Sequence, residues 1–215
     1  MLDRFTWYQQ SAYLWHGDNK DVYIDPWGLS GDLPDADVIF ITHAHEDHFS
    51  QEDIDKVRRA KTTIVAPRDI ADSLSGQVQA VAPGDSIEVA GIKVQCVPAY
   101  NIVEERLQAH PKENNWVGYL LELGDTTYYH AGDTDHLPEL ESVRADVAFV
   151  PIGGNYCMAV PEAAGFVKTF SPQLAVPMHY GFFPGVGEEA DGERFRQAAD
   201  PVKVEVLKPM NPFRA

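Results

Sequence analysis

The chain has 215 residues, 44% hydrophobic and 23% charged, which is the composition of a globular protein long enough to bury a substantial core. Its 17 Lys and Arg against 33 Asp and Glu give a formal charge of −16, which disfavours nucleic acid and anionic membranes as partners but says little about a pocket where a bound metal sets the field. No 18-residue apolar run is present, Met1–Phe5 lack the pattern of a secretion signal, and two cysteines, Cys96 and Cys157, make no disulfide framework, so a cytoplasmic location is expected.

The first half reads as short strands bounded by Gly, Pro, Asp or Asn: Ser11–Trp15, Val22–Ile24, Val38–Ile41, Thr63–Ala66 and Ile92–Val97. Asn19-Lys20 and Ala90-Gly91 fit hairpin turns, the latter between Ile87–Val89 and Ile92. Ser50 suits the N-cap of a helix, with Asp53 completing a capping box and Ile54, Val57 and Ala60 on one face. Further on, Tyr119–Leu123 and Thr126–His130 flank the turn Gly124-Asp125. Val147–Val150 and Leu174–Met178 read as buried strands, and Val202–Leu207 as a terminal one. Pro161 opens a helix through Ala164, Val167 and Lys168, and Glu188–Ala199 forms another, weakened by Gly192. No linker divides the chain, so residues 1–215 are expected to form one domain with an α/β (α+β) layered fold.

The chemistry concentrates in Thr42–Phe49, T-H-A-H-E-D-H-F, between the strand Val38–Ile41 and the helix capped by Ser50. A strand end is where an α/β sheet presents functional groups. His43 and His45 can project together from an extended turn, while Asp47 and His48 can face a second centre. Imidazole and carboxylate suit Zn²⁺, with Mn²⁺ or Fe²⁺ as alternatives. So many ionisable groups on one short loop are costly to bury without a cation.

This segment resembles the H-x-H-x-D-H signature of the metallo-β-lactamase superfamily. Asp25-Pro26, Gly132-Asp133-Thr134 and Met178-His179-Tyr180-Gly181 resemble its other motifs, in the same order and each at the end of an expected strand. Pro151–Tyr156 and Pro161–Ala164 are similar to a subgroup of small members described as metal-dependent hydrolases. The resemblance implies a four-layer αββα sandwich with the site at one edge of two sheets. It also implies two divalent ions roughly 3.5–4 Å apart sharing a water or hydroxide. His43 and His45 would hold the first ion, Asp47, His48 and His179 the second, and Asp133 would bridge them.

The family usually places a further histidine in a Pro-Ala-x-His-like stretch. Here Pro98-Ala99-Tyr100-Asn101 has Asn at that place, and His110 is the nearest substitute. Imidazole binds Zn²⁺ better than a carboxamide does, which favours His110. Asp47 is the candidate to orient the hydroxide and move a proton, and His136 is a candidate general acid. Asn101 and Tyr156 are candidates for contact with substrate, and Asp25 and His130 for supporting the ligands from behind. Trp116 and Phe182-Phe183 could wall a pocket or belong to the core, and Cys157 reads as a small buried hydrophobe.

His45 stands where redox-active di-iron relatives carry Glu, which points to hydrolysis. The expected partner is a small molecule with an ester, lactone, amide or phosphodiester bond, and a homo-oligomer is left open. An RNA nuclease or phosphodiesterase, and a non-catalytic metal-binding sensor on the same scaffold, are the competing readings.

Overall fold

A computed structural model describes residues 1–17 and 19–214. Three aromatic-rich strands open the chain as an antiparallel meander: β1 (Phe5–Gln9), β2 (Ala12–Gly17) and β3 (Lys20–Ile24). Parallel strands β4 (Val38–Phe40), β5 (Thr63–Pro67) and β6 (Gln77–Val81) complete the first sheet, in the order β1-β2-β3-β4-β5-β6. Helix α1 (Gln51–Val57) and the short α2 (Arg68–Ala71) provide crossovers between these strands.

The second sheet repeats the plan. An antiparallel run of β7 (Ser86–Val89), β8 (Ile92–Pro98), β9 (Val117–Leu123) and β10 (Thr126–His130) leads into parallel β11 (Val147–Pro151) and β12 (Leu174–Met178). Helix α3 (Val160–Phe170) links β11 to β12, and α4 (Asp191–Ala198) packs beside it.

Strand alternation sorts the first sheet's side chains into two cores. Tyr13, Trp15, Val22, Ile24, Val38, Phe40 and Val65 join the cluster shared with the second sheet. Their neighbours Leu14, Tyr23, Ile39, Ile64 and Ala66 pack instead with Ile54 and Val57 of α1 and Ile70 of α2. Across the middle, the Tyr13 and Phe149 rings lie 4.7 Å apart. On the far side of the second sheet, Tyr129 stacks on Phe170 of α3 at 5.2 Å. The layers therefore run helix, sheet, sheet, helix, as the resemblance implied.

Three expectations need correction. Val202–Leu207 is not a strand: it touches β12 through one bridge, Val204 to Ala175, and leaves Val206 38% exposed. Helix α1 stops before Ala60, because Arg58 turns extended and the Arg59 amide donates to the Thr62 hydroxyl instead. The first strand, β1, and the edge strand β6 lie outside the expected set; Gln77 is exposed and only Val81 of β6 is buried, so its hydrophobic signal is weak.

The sheets are tied together close to the ends of β4 and β5. The Tyr119 hydroxyl, wholly buried on β9, donates to the Ile41 carbonyl at 2.7 Å, with the Val65 carbonyl 3.3 Å away. Nearby, the Val117 amide donates to the Thr42 carbonyl. Tyr119→Phe removes this buried side-chain donor from the seam. It is expected to lower stability by about 1–3 kcal/mol, read as a shift in the urea midpoint with an unchanged slope.

Candidate metal centre

All but one of the ligand candidates follow the end of a strand. His43, His45, Asp47 and His48 follow β4, Asp133 follows β10 and His179 follows β12. His110 sits on the long loop between β8 and β9, between two short 3-10 turns, Glu104–Arg106 and Lys112–Asn114. The groups His43, His45 and His110, and Asp47, His48 and His179, each bring their ligand atoms within metal-binding reach; Asp133 groups with His43 and His48.

Hydrogen bonds from behind fix which nitrogen faces inward. Asp25 accepts from the Thr42 hydroxyl at 2.7 Å, which uses that hydroxyl's single proton. Thr42 Oγ1 can therefore only accept from His43 Nδ1, 3.0 Å away, and His43 Nε2 is left bare. His48 Nδ1 donates to the same Asp25 oxygen at 2.7 Å and points its Nε2 into the cluster. Asn101 is oriented by its amide donating to Asp135, so its carbonyl accepts from His110 Nδ1 at 2.9 Å. That leaves His110 Nε2 bare as well.

These bare atoms crowd one another. His43 Nε2 lies 3.3 Å from His110 Nε2 and 3.1 Å from His45 Nδ1. Lone pairs at such distances repel unless a cation lies between them. Similarly, His48 Nε2 and Asp133 Oδ1 are both buried without a hydrogen-bond partner and are 3.6 Å apart. A metal about 2.0–2.2 Å from each atom fits that gap. The other Asp133 oxygen lies 2.9 Å from His179 Nε2 and 3.5 Å from His110 Nε2, so this one carboxylate reaches both groups. The donor set fits divalent metal.

Without metal the cluster is a proton trap. Burial drives the His43 imidazole well down, reinforced by neighbouring histidines, and pushes His110 down to about 4 against the pull of Asp133. Burial also opposes charge on His48 and His179. There the carboxylates win: Asp133, Asp47 and Asp25 raise His48, and Asp133 leads in lifting His179 well above the ordinary value. Asp47 and Asp133 are in turn held low by those histidines despite their own burial.

The loop bearing His110 is held by a part-buried ionic network. Asp135 accepts from the amides of Ile102 and Val103 and from Arg106 Nε at 2.6 Å. The Arg106 guanidinium then pairs with both oxygens of Glu162, which also accepts from the Ala159 amide at the start of α3. Neither Asp135 nor Arg106 stands out in the sequence, beyond the position of Asp135 two residues after the Asp133 motif.

Asn101 is therefore 3% exposed behind His110, and its expected contact with substrate is corrected to a supporting role. His136 is corrected too: its ring packs on Phe166 and its Nε2 lies 3.7 Å from Glu141, away from the ligand pocket. Tyr156 does line that pocket, 50% exposed. Asp25 lies behind His48 as expected. His130 donates to the Ser11 carbonyl and accepts from the Gly132 amide, so it shapes the turn before Asp133. Trp116 packs its ring on His43, His45 and His110. Phe182 enters the core, whereas Phe183 lines the pocket and stacks on Trp27. Cys157 is buried with its sulfur 3.8 Å from His179 Nδ1.

Gln10, at the turn between β1 and β2, carried no sequence signal. Its amide donates to Asp47 Oδ2 at 3.1 Å, and its backbone carbonyl accepts from the His179 amide.

Asp25→Asn is expected to weaken zinc binding about 10- to 100-fold, read by competition with a chromophoric chelator. Unchanged affinity would mean that the histidines hold their tautomers without Asp25. Zinc uptake should also displace protons from His48 and His179, because both hold them above the usual range and must lose them to bind. Apparent affinity should therefore tighten as pH rises through those raised values, with proton release visible to a pH indicator in weak buffer.

The arrangement has known counterparts. A family model described as a β-lactamase superfamily domain matches residues 4–179. The UPF0173 metal-dependent hydrolase of Methanopyrus kandleri is 33% identical over 230 residues, covering 96% of this chain and 97% of that one. Its counterpart in Pyrococcus abyssi is 36% identical over 211 residues, covering 89% and 90%. Among solved structures, Igni18, a metallo hydrolase from Ignicoccus hospitalis, superposes with a TM-score of 0.79 at 26% identity, over 95% of this chain and 94% of that one. Fold, motif order and sequence agree over nearly the whole length, and the chain belongs to the metallo-β-lactamase superfamily, in the branch whose members are named metal-dependent hydrolases.

Proposed function

We propose that this metal-dependent hydrolase works with two divalent ions, Zn²⁺ foremost, and cleaves an ester, lactone, amide or phosphodiester bond in a small molecule. The observation that carries the reading is the convergence of the Nε2 atoms of His43, His48 and His110 on Asp133, with His45, Asp47 and His179 completing two groups. When bound, such an ion pair supplies an activated water at neutral pH and polarises the substrate oxygen.

The chain's own groups do the rest. Asp47 lies at the pocket floor, part exposed, where its carboxylate can orient the attacking water and carry a proton to the leaving atom. Gln10 limits its rotation by holding Oδ2. Trp116 shields the rings of His43, His45 and His110 from solvent, which strengthens the electrostatics among them.

Two tests bear on this reading. Metal analysis of the purified protein should give two ions per chain, and His110→Ala should reduce that to one. Asp47→Ala should lower kcat on any hydrolysed substrate by about 100- to 10,000-fold while the protein still takes up metal. A variant with undiminished kcat would remove Asp47 from the proton path.

A further inference from the structure

Beside the ligand cluster lies a cavity of about 430 Å³, within the size range of small-molecule sites. Its floor carries His45, Asp47, Asp133 and His179. Its remaining wall is Tyr156, Phe183, Pro184 and Val186. Tyr156 follows β11, and the other three sit on the segment after β12, where Phe183 stacks on Trp27 with ring centroids 5.2 Å apart. No lysine or arginine among the described residues lines this space. The two cations of the His110 loop are held elsewhere: Arg106 on Asp135 and Glu162, and Lys112 on the Tyr100 hydroxyl and Glu139.

The charge of the wall selects among the bonds the hydrolytic reading allows. A phosphodiester carries its negative charge over two non-bridging oxygens. Whatever part of that charge the metal does not hold would meet aliphatic and aromatic carbon in a protein of net charge −16. Arg and Lys are among the clamps that hold phosphoryl groups in a site, and this wall supplies neither. A neutral carbonyl substrate asks for nothing of that kind. Its carbonyl oxygen needs one polarising partner, and its apolar substituent gains by leaving water for the Phe183–Val186 wall.

We infer that the substrate is an uncharged carbonyl compound, such as an ester or lactone, whose apolar or aromatic substituent seats against Tyr156, Phe183, Pro184 and Val186, and that phosphodiesters are rejected. This rests on the hydrolytic reading above and narrows it. In the reaction the acyl carbon–oxygen bond breaks, water's oxygen joins the acyl carbon, and the leaving oxygen takes the electron pair and a proton. In a lactone both products remain one hydroxy acid.

The test uses the zinc-loaded full chain and substrates that share one leaving group: p-nitrophenyl acetate, butyrate and hexanoate against bis(p-nitrophenyl) phosphate. Among the esters kcat/KM is expected to climb about fourfold per added methylene. Phe183→Ala should flatten that slope, and the phosphodiester should fall far below the butyrate. A flat chain-length series in the unaltered protein overturns the inference. So does a kcat/KM for bis(p-nitrophenyl) phosphate equal to or above that for the butyrate ester; in both cases zinc-dependent turnover persists, so the hydrolytic reading survives. If protein that demonstrably holds zinc turns over none of the four compounds nor a panel of lactones, amides and phosphodiesters, the hydrolytic reading itself fails and takes this inference with it.

Discussion

The site depends on one carboxylate that has no place in the pocket. Asp25 is wholly buried at the end of β3 and accepts three donors: the Thr42 amide, the Thr42 hydroxyl and His48 Nδ1. A buried negative charge is expensive unless it is fully hydrogen-bonded, and these bonds supply that compensation. In return they dictate the protonation of two rings. His48 is oriented directly, and His43 through the hydroxyl of Thr42. Without Asp25 the loop T-H-A-H-E-D-H-F would have the right residues and no fixed direction for their lone pairs.

Holding such a carboxylate in place requires unusual backbone. Asp25, His179 and Gln10 all adopt the left-handed region, with φ of +46°, +58° and +45°. For residues bearing a Cβ this conformation is costly, and it persists where surrounding structure over-determines it. Each of the three sits where a strand turns toward the ligand cluster. The strain is offset by the sheets behind, locked to one another by the Tyr119 hydroxyl and by the packing of Tyr13 on Phe149. Gly132 serves the same edge by a different route. A Cβ there would come within 3.0 Å of Thr42, so glycine lets the Asp133 turn close on the loop that Asp25 organises.

The site is polar on one side and greasy on the other. Histidines and carboxylates form a cation-seeking floor, and Phe183, Pro184 and Val186 form a wall with no charge. The floor draws on the ends of β4, β10 and β12, and the wall on the segment that runs on from His179.

Much of this was legible in the sequence, and the limits have a physical cause. His43, His45, Asp47 and His48 lie on a single loop, so their spacing and the preceding apolar strand are enough to mark a metal site. Asp133 and His179 could be read because Gly132-Asp133-Thr134 and Met178-His179-Tyr180-Gly181 resemble the superfamily's motifs, each at the end of an expected strand. The apolar runs Val22–Ile24 and Val38–Ile41 likewise read as strands, and in the fold their successive side chains enter two different cores. What local pattern could not assign were roles that depend on side chains meeting across long separations. His110 reaches His43, 67 residues away, because Asn101, Asp135, Arg106 and Glu162 lash its loop to the turn after Asp133 and to the start of α3. The same closure turned Asn101 from a substrate contact into a support, left His136 against Phe166, and brought Gln10 onto Asp47. Which residues can bind metal follows from their chemistry and their place in the chain, and could be read before any fold was known. Which of them face one another follows from the burial and mutual satisfaction of polar groups far apart in the chain, and that is a property of the folded molecule.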